Sequence, residues 1–67
     1  MTMIEYLLYI ASNKGFLLGE ESRLSEVSAE DILQMEKSYF IEIDYEEDKV
    51  SSVSLTDKGY DYLIHLD

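Results

Sequence analysis

The chain has 67 residues, 46% of them hydrophobic, and fifteen Asp and Glu against five Lys and Arg, a formal charge of −10. A single domain of this length buries only about 60% of its unfolded surface, and with no cysteine it has neither a disulfide nor a thiolate metal site, so packing or self-association must stabilise it. The apolar content argues against disorder; the absence of a basic n-region and of any apolar run near the roughly 20 residues of a membrane span predicts a cytoplasmic protein with no membrane role.

Thr2 to Asn13 reads as a helix, because Ile4, Leu7, Leu8 and Ala11 recur at i, i+3, i+4 and i+7 while Met3 and Ile10 widen the stripe. Thr2 is placed to cap its start. Asn13-Lys14-Gly15 is a stop, with Gly15 available for the left-handed position after the last turn. From Gly15 to Ser28 the chain reads as a loop. Its Phe16, Leu17 and Leu18 are too apolar to lie free in water and are expected to drop onto the core, and Glu20 to Val27 offers no more than a short helical turn.

A second helix starts at Ser28, where Ser28-Ala29-Glu30-Asp31 has the capping-box pattern, and Ala29, Ile32, Leu33 and then Met35 or Glu36 carry it to about Ser38. The period then becomes two: Ile41, Ile43 and Tyr45 share one face of a strand, Glu42 and Asp44 the other. Glu46-Glu47-Asp48-Lys49 is a polar turn, followed by a strand from Val50 to Leu55 with Val53 and Leu55 on one face. Asp48 and Lys49 supply no glycine, so a tight two-residue turn is not expected. The last helix runs from about Asp57 to His65. Thr56 caps it, Asp57 favours its positive end, and Tyr60, Leu63 and Ile64 are its expected apolar face. No repeat, low-complexity tract or linker interrupts the chain. One α+β domain over residues 1–67 is predicted, ordered helix–loop–helix–β-hairpin–helix.

Little here supports catalysis. His65 is the only histidine and stands near a helix C-terminus, where a cation is favoured. Paired carboxylates abound, but acid–base chemistry on a sugar needs a concave pocket that so small a domain can hardly build. The cluster Asp44, Glu46, Glu47 and Asp48 lacks the spacing of a calcium loop. No phosphate cradle, dinucleotide fingerprint or zinc spacing is present. No catalytic residue, metal or cofactor is therefore expected. The six tyrosines read as core and core rim, or alternatively as part of a protein interface, where aromatics are enriched.

Two segments carry a resemblance. Met35-Glu36-Lys37-Ser38-Tyr39-Phe40-Ile41 resembles the junction from third helix into wing of the winged-helix branch of helix-turn-helix proteins. Leu55-Thr56-Asp57-Lys58-Gly59-Tyr60-Asp61-Tyr62-Leu63 is similar to that family's passage from wing to final helix. Size and C-terminus look like the small YjcQ-like winged-helix proteins of Gram-positive bacteria and their phages. The likeness covers residues 28–66 and implies a small winged-helix-like domain whose third helix and wing would face DNA. The chain departs from the pattern in three places. Tyr39 stands where the family usually has glycine, so the helix is expected to end differently. Only Glu20 to Val27 is left for the family's second helix. The third helix offers Glu30, Asp31, Gln34 and Glu36 against Lys37, and the turn offers Glu46, Glu47 and Asp48 against Lys49.

Those departures set the functional expectation. Eleven carboxylates and two cations lie between Glu20 and Asp48, a local net of −9, and a phosphate backbone repels such a surface. The expected function is a non-enzymatic acidic protein-interaction module on a winged-helix scaffold, either a phage or mobile-element regulator or a DNA mimic. Its partner-binding candidates are Glu30, Asp31, Glu36, Glu42, Asp44, Glu46, Glu47 and Asp48. A basic protein is the expected partner, and duplex DNA is not expected to bind the monomer. The alternative is a DNA-binding transcriptional regulator acting as a dimer through Lys14, Arg23, Lys37, Lys49 and Lys58. Five cations fall short of the roughly 6–10 phosphate contacts of a typical binder until a dimer doubles them. A homodimer is favoured by the broad apolar face of the first helix and by Phe16-Leu17-Leu18, and opposed by the net charge. The blandest reading is that the charge only keeps a small protein soluble.

Overall fold

Helix α1 (Met3–Ser12) begins with a reciprocal cap. The Thr2 hydroxyl accepts from the Glu5 N–H at 3.2 Å, and the Glu5 carboxylate accepts from the Thr2 N–H at 3.0 Å. That backbone hydrogen bond is the main reason the Glu5 carboxyl lies below its usual range. The computed structural model describes residues 1–66. In it α1 buries Tyr6, Leu7 and Ile10, whereas Ile4 is exposed and Leu8 is 51% exposed. The inward face is thus rotated from the expected Ile4–Leu7–Leu8–Ala11 stripe. Tyr6 can be buried there because its hydroxyl donates to the carbonyl of Ser22.

The start of the first loop is set by left-handed residues. Lys14 (φ 66°) and Gly15 (φ 79°) follow α1. The Gly15 N–H donates to Ile10 at 2.9 Å and the Lys14 N–H to Ala11 at 3.2 Å, the paired bonds of a Schellman stop. Lys14 therefore takes the position expected of Gly15. The segment read as loop then contains a short strand, β1 (Phe16–Leu18), and two single 3-10 turns, Gly19–Glu21 and Leu24–Glu26. Only Leu17 of the apolar triplet is buried; Phe16 and Leu18 point the other way and stay exposed. Three residues are too few to show a period, and pairing with a distant strand decides the outcome.

Helix α2 (Ala29–Lys37) starts where Ser28 accepts from the Asp31 N–H at 3.2 Å. It stops by the same device as α1. Tyr39 adopts φ 58°, the Phe40 N–H donates to Met35 at 2.9 Å and the Tyr39 N–H to Glu36 at 3.1 Å. Tyrosine here makes the turn that glycine usually makes, at a local cost of about 1–2 kcal/mol, so the expectation of a different helix end is corrected.

Strands β2 (Ile41–Glu46) and β3 (Lys49–Leu55) pair antiparallel, from Ile41 opposite Leu55 to Asp44 opposite Ser52. Tyr45 then faces Val50, which leaves Ser51 as an extra residue on β3. Only Glu47 (φ 51°) and Asp48 (φ 65°) lie between the strands. The turn is thus a tight two-residue one with both residues left-handed, contrary to expectation. β1 pairs with the far side of β3, giving the antiparallel order β1-β3-β2.

Helix α3 (Asp57–Ile64) is capped by Thr56, which accepts from the Gly59 N–H at 3.1 Å. Its inward residues are Gly59, Tyr62 and Leu63, while Tyr60 is exposed and Ile64 is 72% exposed. Leu63 lies inward as expected, whereas the expectation for Tyr60 and Ile64 is corrected, for a steric reason. A Cβ on Gly59 would stand 2.4 Å from the Phe40 carbonyl oxygen, so only glycine lets α3 approach this closely. That contact turns Tyr62 onto Phe40, ring centroids 4.5 Å apart. The core joins Tyr6, Leu7 and Ile10 to Leu17, Val27, Met35, Ile41, Val53 and Leu55. The domain is α+β, with a three-stranded antiparallel sheet packed on its helices through one face.

Candidate functional site

The carboxylates are densest on the hairpin. Alternation along β2 sends Glu42, Asp44 and Glu46 to one face, spaced about 7 Å apart. All three are exposed, as are Glu47 and Asp48 at the tip. Burial on the opposite face fades along the strand: Ile41 is buried, Ile43 half-buried and Tyr45 63% exposed. The hairpin thus runs out from the core and carries its charge with it.

The register extends this face across the sheet. Glu42 lies opposite Ser54, which lies opposite Phe16; Asp44 lies opposite Ser52, which lies opposite Leu18. The Ser52 hydroxyl donates to Asp44 at 3.1 Å. The result is a sheet face graded from acidic on β2, through serines on β3, to exposed apolar side chains on β1. The sequence marks Phe16 and Leu18 as apolar, but only the pairing of β1 with β3 places them on this face.

Helix α2 is more mixed. Glu30 and Glu36 are exposed, and so are Leu33, Gln34 and Lys37 between and beside them. Asp31 is half-buried beside Ile32 on the flank toward Met35. Of the eight candidates, then, Glu42, Asp44, Glu46, Glu47 and Asp48 share one hairpin, while the three on α2 do not form an unbroken acidic strip.

Cations do little to neutralise these groups. Among the described residues the ion pairs are Arg23–Glu26 and His65–Asp61, and neither involves a candidate. Arg23 donates twice to Glu26, which holds the guanidinium above its usual range and the Glu26 carboxyl below its own. Its guanidinium carbon also stands 5.2 Å from the centre of the Tyr9 ring. Lys58 sits 5.4 Å over the ring of Tyr39.

The tyrosines divide between two roles. Tyr6 is core, and Tyr9 donates to the Glu21 carbonyl at 3.0 Å. Tyr39 and Tyr45 are among the most exposed large side chains, at 67% and 63%, the first just before the acidic hairpin and the second within it.

On α3 a shallow cleft of about 380 Å³ is lined by Phe40, Lys58, Asp61, Tyr62 and His65. His65 approaches Asp61 at 3.3 Å with both side chains open to solvent. The cleft offers an apolar floor and a rim of mixed charge. Among the described residues no three His, Cys, Asp or Glu are grouped to hold a metal ion, so Asp44, Glu46, Glu47 and Asp48 do not converge on one point. No helix among those residues is long and apolar enough to cross a membrane.

No family model matches the chain, and neither does any curated protein or solved structure.

Proposed function

We propose that the chain is a non-enzymatic protein-interaction module of winged-helix-like design, whose acidic hairpin receives a basic protein. The single observation that carries this reading is the hairpin itself. Five exposed carboxylates (Glu42, Asp44, Glu46, Glu47, Asp48) stand against one Lys49, without an ion pair among the described residues. The winged-helix part is supported by element order, by the left-handed Tyr39 at a position where that family usually has glycine, and by the Thr56–Gly59 start of the last helix. In its sharper form the module imitates DNA and occupies the basic site of a nucleic-acid-binding protein, as a regulator carried by a phage or mobile element would. Its setting is then the cytoplasm.

The alternative, a DNA-binding regulator acting as a dimer, draws less support. Of its five cations, Arg23 is taken up by Glu26 and Lys58 by the Tyr39 ring. Affinity capture from a native lysate tests the proposal. A basic protein retained at low salt and released at high salt supports it, because charge complementarity acts through screened, long-range attraction. Capture of acidic or neutral proteins only, indifferent to salt, overturns it.

A further inference from the structure

We propose that the outer edge of β2 is a strand-addition site for an extended segment of a partner, one in which Lys or Arg alternate with apolar residues. The strand order β1-β3-β2 leaves β2 at the sheet margin. Among the described residues its backbone pairs with β3 alone. The N–H and C=O groups of alternate residues therefore face outward, which is the ordinary template for an added strand. β2 is six residues long, against three for β1 at the opposite margin. The register shift at Asp44/Tyr45 places its extra residue on β3, so β2 itself carries no inserted residue.

Side chains then select the occupant. In strand addition the main chain supplies affinity and alternate side chains supply specificity. Glu42, Asp44 and Glu46 would meet Lys or Arg on one face of the added strand, and Ile43 with Tyr45 would meet apolar side chains on the other. A second copy of this chain is disfavoured, because directly opposed like charges destabilise a strand pair. The inference rests on the acidic hairpin being the working surface, and it specifies how that surface is engaged: through backbone pairing rather than diffuse attraction.

The test uses the intact protein, labelled with nitrogen-15, and three synthetic peptides of equal charge. The first alternates Lys and Val. The second has the same composition with its lysines grouped, and the third is the alternating peptide N-methylated at every other residue, which removes its donors along one edge. The alternating peptide should bind and slow hydrogen exchange at the outward amides of β2. Both controls should bind about tenfold more weakly or worse, as expected when several main-chain hydrogen bonds are lost. Equal binding by the N-methylated peptide, with no protection of β2, overturns strand addition and leaves a basic partner in place. Failure of all three to bind also overturns strand addition, and lysate capture decides the broader reading independently.

Discussion

The hydroxyl of Thr56 donates to the backbone carbonyl of Tyr39, seventeen residues earlier in the chain. Its N–H donates to the next carbonyl, that of Phe40, at 3.0 Å, and its oxygen accepts from Gly59 at 3.1 Å. One residue thereby ties the left-handed exit from α2 and the start of β2 to the start of α3, its side chain making the bonds to Tyr39 and Gly59 and its backbone the bond to Phe40. Thr56→Ala should cost about 1–3 kcal/mol, a helix cap plus a net hydrogen bond. Thr56→Ser should recover most of it. Urea unfolding of the three proteins measures both effects.

Tyr6 makes stability depend on alkaline pH. Burial, followed by the neighbouring Tyr9, pushes its hydroxyl from 10.0 up to about 12. Between those values the unfolded chain gives up this proton and the folded one keeps it, so unfolding becomes easier as pH rises. The contribution is complete below pH 10.0 and is lost by about pH 12. Tyr6→Phe should lower stability at neutral pH by about 0.5–1.5 kcal/mol, leaving the Ser22 carbonyl without this donor. It should also flatten the decline over the alkaline window. Thermal unfolding as a function of pH follows both.

The hairpin tip holds two non-glycine residues in a conformation each pays for, at roughly 1–2 kcal/mol apiece. Asp48→Gly should therefore stabilise the domain by up to about 1 kcal/mol, the relief being partly offset by the greater freedom of glycine when unfolded. A change to glycine inside either strand would instead destabilise the domain. Circular-dichroism melts of wild type and variant report the sign.

These cases show what the amino-acid order could convey. The caps at Thr2, Ser28 and Thr56 were legible because each is a local hydrogen bond within four residues. The hairpin was legible from its change of period. The Glu47–Asp48 turn was not, since pairing of the flanking strands forces a conformation that neither residue prefers alone. The inward faces of α1 and α3 were displaced by long-range contacts: Tyr6 to Ser22, and Gly59 against Phe40. β1 is visible only once β3 is in place to pair with it. As for the site, the hairpin carboxylates were evident from composition, but the mixed face of α2 and the apolar side of the sheet required the register.

Ile4 and Leu8, one turn apart on α1, are exposed and offer a stripe that a second copy could cover. Mutual repulsion of chains at −10 opposes this, and salt screens the repulsion. Sedimentation equilibrium should show association that grows with ionic strength and disappears in Leu8→Gln. A monomer at every salt and protein concentration would contradict this expectation.

The proposed function has the hairpin carboxylates repel nucleic acid and attract a basic protein. Its most direct test places wild type and the double variant Glu46→Lys/Glu47→Lys side by side, first against duplex DNA and then against the captured partner. At physiological salt wild type should give no shift of the duplex, while its complex with the partner should form more slowly as salt rises. The variant should keep the fold, since both side chains are exposed, and bind the partner markedly less well. A sequence-specific shift of duplex DNA by the wild-type protein, or partner binding unaffected by both salt and the two lysines, would overturn the proposed function.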